Sequence, residues 1–250
     1  MTEDQYVEAV LKKYAVNLSS AKSAADNAAP AITSWAGSQL ASLEYSGSFA
    51  KETANNISTD IDLFVSLKSD TQETLKQIYE SLFTCASNQG WSPVRQNVSI
   101  GASVSGKKVD LVPGKIQAGY QNVHSLYKRK TDSWTQTNVK LHIDTVVKSG
   151  RVKEIRAIKI WRNLHNLSFP SFYLELSVIN GLKGRSTTNL AGNVLHVLNY
   201  IGDNLRNKRI IDPANTNNVI SDDLSAAEKS AVAAQAKTSA EKQYWKDIIW

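Results

Sequence analysis

Apolar residues recur along this chain with two different periods. Tyr6, Val7, Val10, Leu11 and Tyr14 fall at helical spacing and predict a helix over residues 4–30. Ser19, Ser20 and Ser23 offer a local break, and Pro30 a bend or restart. A further helical stretch is expected to reach about Leu43, and Ser46-Gly47-Ser48 interrupts it. Asp60 to Leu67 reads as a short buried strand, apolar between polar flanks. Thr71 to Cys85 reads as a helix with Leu75, Ile78, Leu82 and Phe83 on one face. Strands are expected over Asn97 to Val104 and Lys108 to Val112, the second stopped by Pro113-Gly114. His124 to Lys130 and Trp134 to Asn138 form the arms of a hairpin.

From about Val139 the period is helical throughout. Val152, Ile155, Ile158, Trp161 and Leu164 form one stripe, Pro170 opens a helix over Ser171 to Leu182, and Leu190 to Leu205 is another. Residues 210–221 are an Asn- and Asp-rich loop, and an Ala-rich helix from Leu224 runs to a Tyr- and Trp-containing end. The pattern predicts an α+β protein. A mixed sheet with flanking helices fills residues 1–140, and a helical domain fills residues 141–250.

Composition narrows the class. A hydrophobic fraction of 42% and a charged fraction of 21% exclude a disordered chain. No apolar run is long enough for a membrane-spanning helix, so no membrane insertion is expected. The acidic start Met1-Thr2-Glu3-Asp4 is not a secretory signal, and one cysteine, Cys85, makes neither a disulfide nor a Cys-rich zinc site. A cytoplasmic protein is expected. The net charge is +6, and the window from Leu126 to His165 alone carries +7. Such an excess suits an anionic partner, nucleotide phosphates or a nucleic-acid strand; a solvated helix face is the alternative.

The chemistry concentrates in Gly47-Ser48, an eleven-residue spacer, and Asp60-Ile61-Asp62. Residues two apart on a strand share a face, so Asp60 and Asp62 present paired carboxylates, and Asp110 joins them if its strand is adjacent. Two like charges about 4 Å apart repel by roughly 4 kcal/mol at an effective dielectric near 20. Divalent cations remove that penalty, and an all-oxygen set suits two Mg²⁺ or Mn²⁺ ions. Such ions could activate a hydroxyl and stabilise a leaving pyrophosphate. Gly47 lets backbone approach a phosphate, and Ser48 adds a hydroxyl and an amide. Either motif alone also fits an ordinary exposed strand edge or turn. No P-loop motif and no paired histidines occur.

The order Gly-Ser, spacer, D-x-D and a distant strand Asp resembles the polymerase-β-like nucleotidyltransferases. Lys159 in Ile158-Lys159-Ile160-Trp161, the run Pro170-Ser171-Phe172-Tyr173-Leu174-Glu175-Leu176, the loop Asp212-Pro213-Ala214-Asn215-Thr216-Asn217-Asn218-Val219 and the closing Tyr244-Trp245 to Trp250 narrow this. They are similar to motifs of the oligoadenylate synthase and CD-NTase branch, over about residues 40 to 250. The resemblance implies metal ligation by Asp60, Asp62 and Asp110, and Asp110 favouring deprotonation of the attacking hydroxyl. It implies triphosphate binding by Gly47 and Ser48, donor-phosphate contacts from Lys159 and Ser171, base stacking by Phe172, and Asn218 near the nucleotide. Taken as residues only, Lys159 could snorkel, Ser171 cap a helix, Phe172 pack in the core and Asn217-Asn218 mark a turn.

The activity so implied is template-independent joining of nucleoside or deoxynucleoside triphosphates into a cyclic or linear oligonucleotide signal, with pyrophosphate release, in bacterial anti-phage defence. The product would act on an effector, a nuclease or a membrane protein. The alternatives are CCA-adding-like extension of an RNA end, and a non-catalytic nucleotide or nucleic-acid binding module.

Overall fold

Two separate hydrophobic cores divide the chain. The computed structural model describes residues 1–57 and 60–250, apart from the side chains of Leu18, Ser20 and Ala21. One unit comprises Asn17–Ala50 and Thr59–Ile143, the other Met1–Val16, Lys51–Ser58 and Asp144–Trp250. The last boundary falls between Ile143 and Asp144, and the first helix and a short segment after Ala50 cluster with the C-terminal helices.

The first unit is built on a mixed seven-stranded sheet with the order β1-β2-β5-β4-β3, extended by β6 and β7. The strands are β1 Leu40–Tyr45, β2 Ile61–Leu67, β3 Val94–Arg95, β4 Ile100–Val104, β5 Lys107–Ile116, β6 His124–Lys128 and β7 Ser133–Thr137. Only β2 and β5 pair in parallel. Helices α2 (Leu18–Ala36) and α4 (Leu75–Asn88) cover one face of the sheet, and α3 (Gly47–Ala50) is a single turn after β1. Alternate β2 residues Ile61, Leu63, Val65 and Leu67 bury themselves under Ala28 and Ile32 of α2 and Ile78, Tyr79 and Leu82 of α4. A capping box fixes the start of α4: Thr74 Oγ1 accepts from the Gln77 N–H, and the Gln77 side chain accepts from the Thr74 N–H.

The second unit holds α1 (Glu3–Lys13), α6 (Val152–Leu164), α7 (Ser171–Gly181), α8 (Leu190–Asn204) and α9 (Ala226–Ala240); α5 (Val139–Val147) spans the division. Its core centres on the fully buried Ile155, Ile158, Trp161, Tyr173, Leu198 and Ile201. Trp161 Nε1 donates to Ser239 Oγ at 2.9 Å, which satisfies the indole buried there. No described helix is long and apolar enough to cross a membrane.

Four local expectations are corrected. The helix expected to reach Leu43 ends at Ala36, Gly37 turns the chain at φ +51°, and Leu40–Tyr45 is a strand. Antiparallel pairing with β2 decides that segment, a tertiary effect that side-chain spacing does not encode. Pro30 lies inside α2, and the break between the first two helices falls at residues 14–17 instead. Pro113-Gly114 does not end β5. Pro113 pairs with Val65 on one side; on the other, β4 stops at Leu111 and β6 starts at Lys115, so the missing N–H has no ladder to break. The last helix ends at Ala240, and Trp245–Asp247 form a separate 3₁₀ turn.

Candidate active site

The parallel ladder between β2 and β5 sets Asp62 directly opposite Asp110. Strands in such a ladder lie about 4.8 Å apart, so the two side chains emerge as neighbours on the face away from α2 and α4. Asp60 stands one residue before β2, and it lines a cavity of about 310 Å³ together with Asp110, Gln96, Ser103 and Lys108. Burial first, and then the charge of Asp60, push the Asp110 carboxyl above its ordinary range. Gln96 and Lys108 pull in the opposite direction, the former through Nε2 donating to Asp110 Oδ1 at 2.9 Å. Gln96 was not singled out from the sequence; only its place beside β4 brings it to the carboxylate.

The Gly-Ser turn meets the same carboxylates. The Ser46 N–H donates to the Asp62 carbonyl at 2.8 Å, which holds the turn against β2. Gly47 has φ +58°, and a Cβ there would lie 1.8 Å from Asp62 Oδ2. Both the conformation and the contact demand glycine. Ser48 follows, half-buried, within α3. Gly47→Ala is expected to cost at least the roughly 1–2 kcal/mol of a left-handed non-glycine residue. It should also displace the Asp62 carboxylate. Urea unfolding measures the first effect; an unchanged midpoint would show that the turn relaxes freely.

The donor set offers only hard oxygens, and the mutual repulsion of Asp60 and Asp110 is of the kind a divalent cation relieves. Among the described residues, no three His, Cys, Asp or Glu side chains stand close enough together to hold an ion in this conformation.

The other residues singled out from the sequence lie in the helical unit and are engaged within it. Lys159 does not snorkel: it is 3% exposed, and its Nζ donates to Thr53 Oγ1 and Glu175 Oε1, both at 3.0 Å. Lys51 Nζ reaches Glu175 Oε2 at 2.9 Å and stands 4.2 Å from the centre of the Phe172 ring. Burial opposes ionisation of Glu175, but Lys51 and Lys159 prevail and hold its carboxyl below the usual range. Burial also lowers Lys159, with Lys51 and Arg162 adding to it against the pull of Glu175. Two ammonium groups around one carboxylate leave a buried excess of positive charge. Arg162 Nη1 donates to Ser171 Oγ at 3.1 Å and to the Phe169 carbonyl at 2.8 Å. Asn218 closes its loop, with Nδ2 donating to Asp212 Oδ2 at 3.2 Å. The sequence reading missed Lys51 and Thr53. The available signal was the acid of Glu175 inside the apolar run of α7, which needs a cation if buried.

No protein-family model and no curated protein matches the sequence. Solved structures do match its backbone. The CD-NTase CdnG of Bradyrhizobium diazoefficiens in complex with GTP superposes with a TM-score of 0.80 at 13% identity, over 96% of this chain and 90% of that one. CdnC of E. coli MS115-1 with ATP gives 0.76 at 20% identity, over 95% and 90%. The same CdnC complexed with HORMA-deltaN gives 0.75 at 20%, over 95% and 89%. The chain has the CD-NTase fold. The likeness read from its separated motifs thus holds at the level of architecture. The match runs over nearly the whole chain.

Proposed function

We propose that this chain is a metal-dependent, template-independent nucleotidyltransferase that joins nucleoside triphosphates into an oligonucleotide signal and releases pyrophosphate. The observation that carries this reading is the register of Asp62 against Asp110, beside a glycine turn with no room for a Cβ, in a fold shared with proteins solved with ATP and GTP. Asp60, Asp62 and Asp110 would hold two Mg²⁺ or Mn²⁺ ions, which supply charge neutralisation for phosphoryl transfer. Asp110 is the group suited to draw the proton from an attacking hydroxyl. Gly47 and Ser48 would receive the triphosphate through backbone amides and the Ser48 hydroxyl. The positive excess around Glu175 suits an anion: Lys159 Nζ has three N–H groups and spends two on Thr53 and Glu175. Phe172 would stack a base and Asn218 would stand near the nucleotide.

In this reading the sheet-bearing unit, Asn17–Ala50 and Thr59–Ile143, performs the transfer. The protein works in the cytoplasm in anti-phage defence, its product sensed by an effector. The test is to incubate the protein with each ribo- and deoxyribonucleoside triphosphate and Mg²⁺ or Mn²⁺, to measure pyrophosphate, and to identify the product by mass spectrometry. Oligonucleotides with pyrophosphate are expected. Robust nucleic-acid binding without pyrophosphate under either metal would replace the enzyme with a binding module.

A further inference from the structure

Gln96 is the first residue of the four-residue turn between β3 and β4. It is exposed, so its neighbours hold it in place and burial does not. Its N–H donates to the Ser99 carbonyl at 3.0 Å. Its carbonyl accepts from Tyr79 Oη of α4 at 2.8 Å and from Arg129 Nε at 3.2 Å. The side-chain amide is oriented as well. Ser99 Oγ donates to Gln96 Oε1 at 2.8 Å, and Nε2 donates to Asp110 Oδ1 at 2.9 Å. A carboxylate only accepts, so an amide turned the other way would set oxygen against oxygen at Asp110. A surface glutamine ordinarily keeps its rotamer freedom. Here both ends of the amide and both backbone polar groups are engaged.

Space is kept for this contact. Gly101 of β4 stands directly opposite Asp110 of β5, and residues so paired share a face of the sheet. A Cβ at Gly101 would lie 2.8 Å from Gln96 Nε2 and 3.3 Å from Asp110 Oδ1. Gly101 has a strand conformation that any residue adopts, so its backbone does not require glycine. Glycine inside a strand weakens it. Its place here is explained by the amide and the carboxylate that meet above it.

We propose that Gln96 is a positioning residue for the metal site: it ties down Oδ1 of Asp110 and fixes the rotation of the carboxylate, leaving Oδ2 to ligate a divalent cation, while Gly101 keeps the space that the contact needs. The inference rests on the proposed transferase reading for the cation and adds how one of its ligands is held. A carboxylate already fixed in one rotamer loses less freedom when the ion arrives. Hydrogen-bond partners of metal ligands are typically worth about 10–100-fold in metal affinity.

The experiment is titration of the whole protein with Mn²⁺, without nucleotide, read by the paramagnetic resonance of the free ion. Gln96→Met keeps the length of the side chain, removes its donor and should weaken Mn²⁺ binding about tenfold or more. Gln96 is at the surface, so the fold should persist, as thermal melting will show. Gly101→Ala is the second variant. Its methyl group displaces the far end of Gln96 and strengthens the strand, so Mn²⁺ affinity should fall while the melting temperature holds or rises. Both changes act on one contact, so the double variant should bind no more weakly than Gln96→Met alone. In turnover, Gln96→Met should raise the Mg²⁺ concentration for half-maximal pyrophosphate release by a similar factor, with the rate at saturating Mg²⁺ much less affected. A role in folding alone would not produce that split. Wild-type Mn²⁺ affinity in either variant, additive losses in the double variant, or no Mn²⁺ binding by wild type overturns the assignment. The two readings fail separately. Gln96-dependent Mn²⁺ binding with no pyrophosphate from any triphosphate would sink the transferase and keep the positioning role. Pyrophosphate release with an unchanged Mg²⁺ requirement in Gln96→Met would do the reverse.

Discussion

Replacing Asp60 and Asp62 together by Asn is expected to reduce pyrophosphate release by about three orders of magnitude or more, because metal charge stabilisation is worth several kcal/mol and each 1.4 kcal/mol is tenfold in rate. Asp110→Asn should be as damaging to turnover, yet it should make the metal-free protein more stable at pH 7. The Asp110 carboxyl is raised by burial and by Asp60, so its ionised form is the disfavoured one in the folded state. A carboxyl raised on folding contributes stability that is fully present below its unfolded value and is lost as pH rises through its folded value. Wild type should therefore lose stability across that acidic window, while the Asn variant should lose less. The two melting curves should differ at pH 7 and converge at pH 3. Added Mg²⁺ should then raise the Tm of wild type but not of Asp110→Asn, by binding only where the carboxylates remain. A Tm for Asp110→Asn at or below wild type in chelator, together with Mg²⁺ stabilising both alike, would remove this aspartate from the metal site. Undiminished turnover in Asp60→Asn/Asp62→Asn would remove the other two from the mechanism.

These carboxylates were legible in the sequence because their chemistry depends on spacing along single strands. Asp60-Ile61-Asp62 fixes its own geometry through the two-residue period of a strand, and Lys108 to Val112 announces itself as a strand. What spacing could not supply was their adjacency, which the parallel ladder between β2 and β5 provides. The misread segments share a cause. Leu40–Tyr45 is a strand because β2 offers it a partner, and Pro113 stays within β5 because neither β4 nor β6 pairs at that point. Both depend on neighbours remote in sequence. The helical unit shows the same limit for side chains. Lys159 and Glu175 were visible as residues, but the salt bridge joining them across 16 positions, and the second lysine at position 51, come from packing of α6 on α7 and of the Lys51–Ser58 segment. The Ser66–His124 contact spans 58 positions and left no local trace.

Glu175→Gln should be the most destabilising single change in the helical unit. The carboxylate is 1% exposed and pairs with two ammonium groups, themselves at most 10% exposed. Removing one partner of a buried ion pair typically costs about 3–5 kcal/mol, because the charge left behind keeps its desolvation penalty without its attraction. For a protein of this size that loss lowers the Tm on the order of 10 °C. Lys159→Met should cost less, since Lys51 still pairs with Glu175 and the buried charge then balances. The pH dependence distinguishes this account from simple misfit of the amide. Glu175 is held below its ordinary value, so its contribution is present above the unfolded carboxyl range and disappears as pH falls through the folded value. Acidification should weaken wild type and leave Glu175→Gln nearly unchanged by comparison. An equal Tm for the two proteins at pH 7 would show that the lysines shed their charge without cost. The decisive addition is inorganic triphosphate. If the cluster's positive excess is there to receive a polyphosphate, the variant with both ammonium groups unneutralised should regain more stability from triphosphate than wild type does, and Lys159→Met should regain the least. Equal shifts in all three proteins would leave Lys51, Lys159 and Glu175 as a structural ion cluster only.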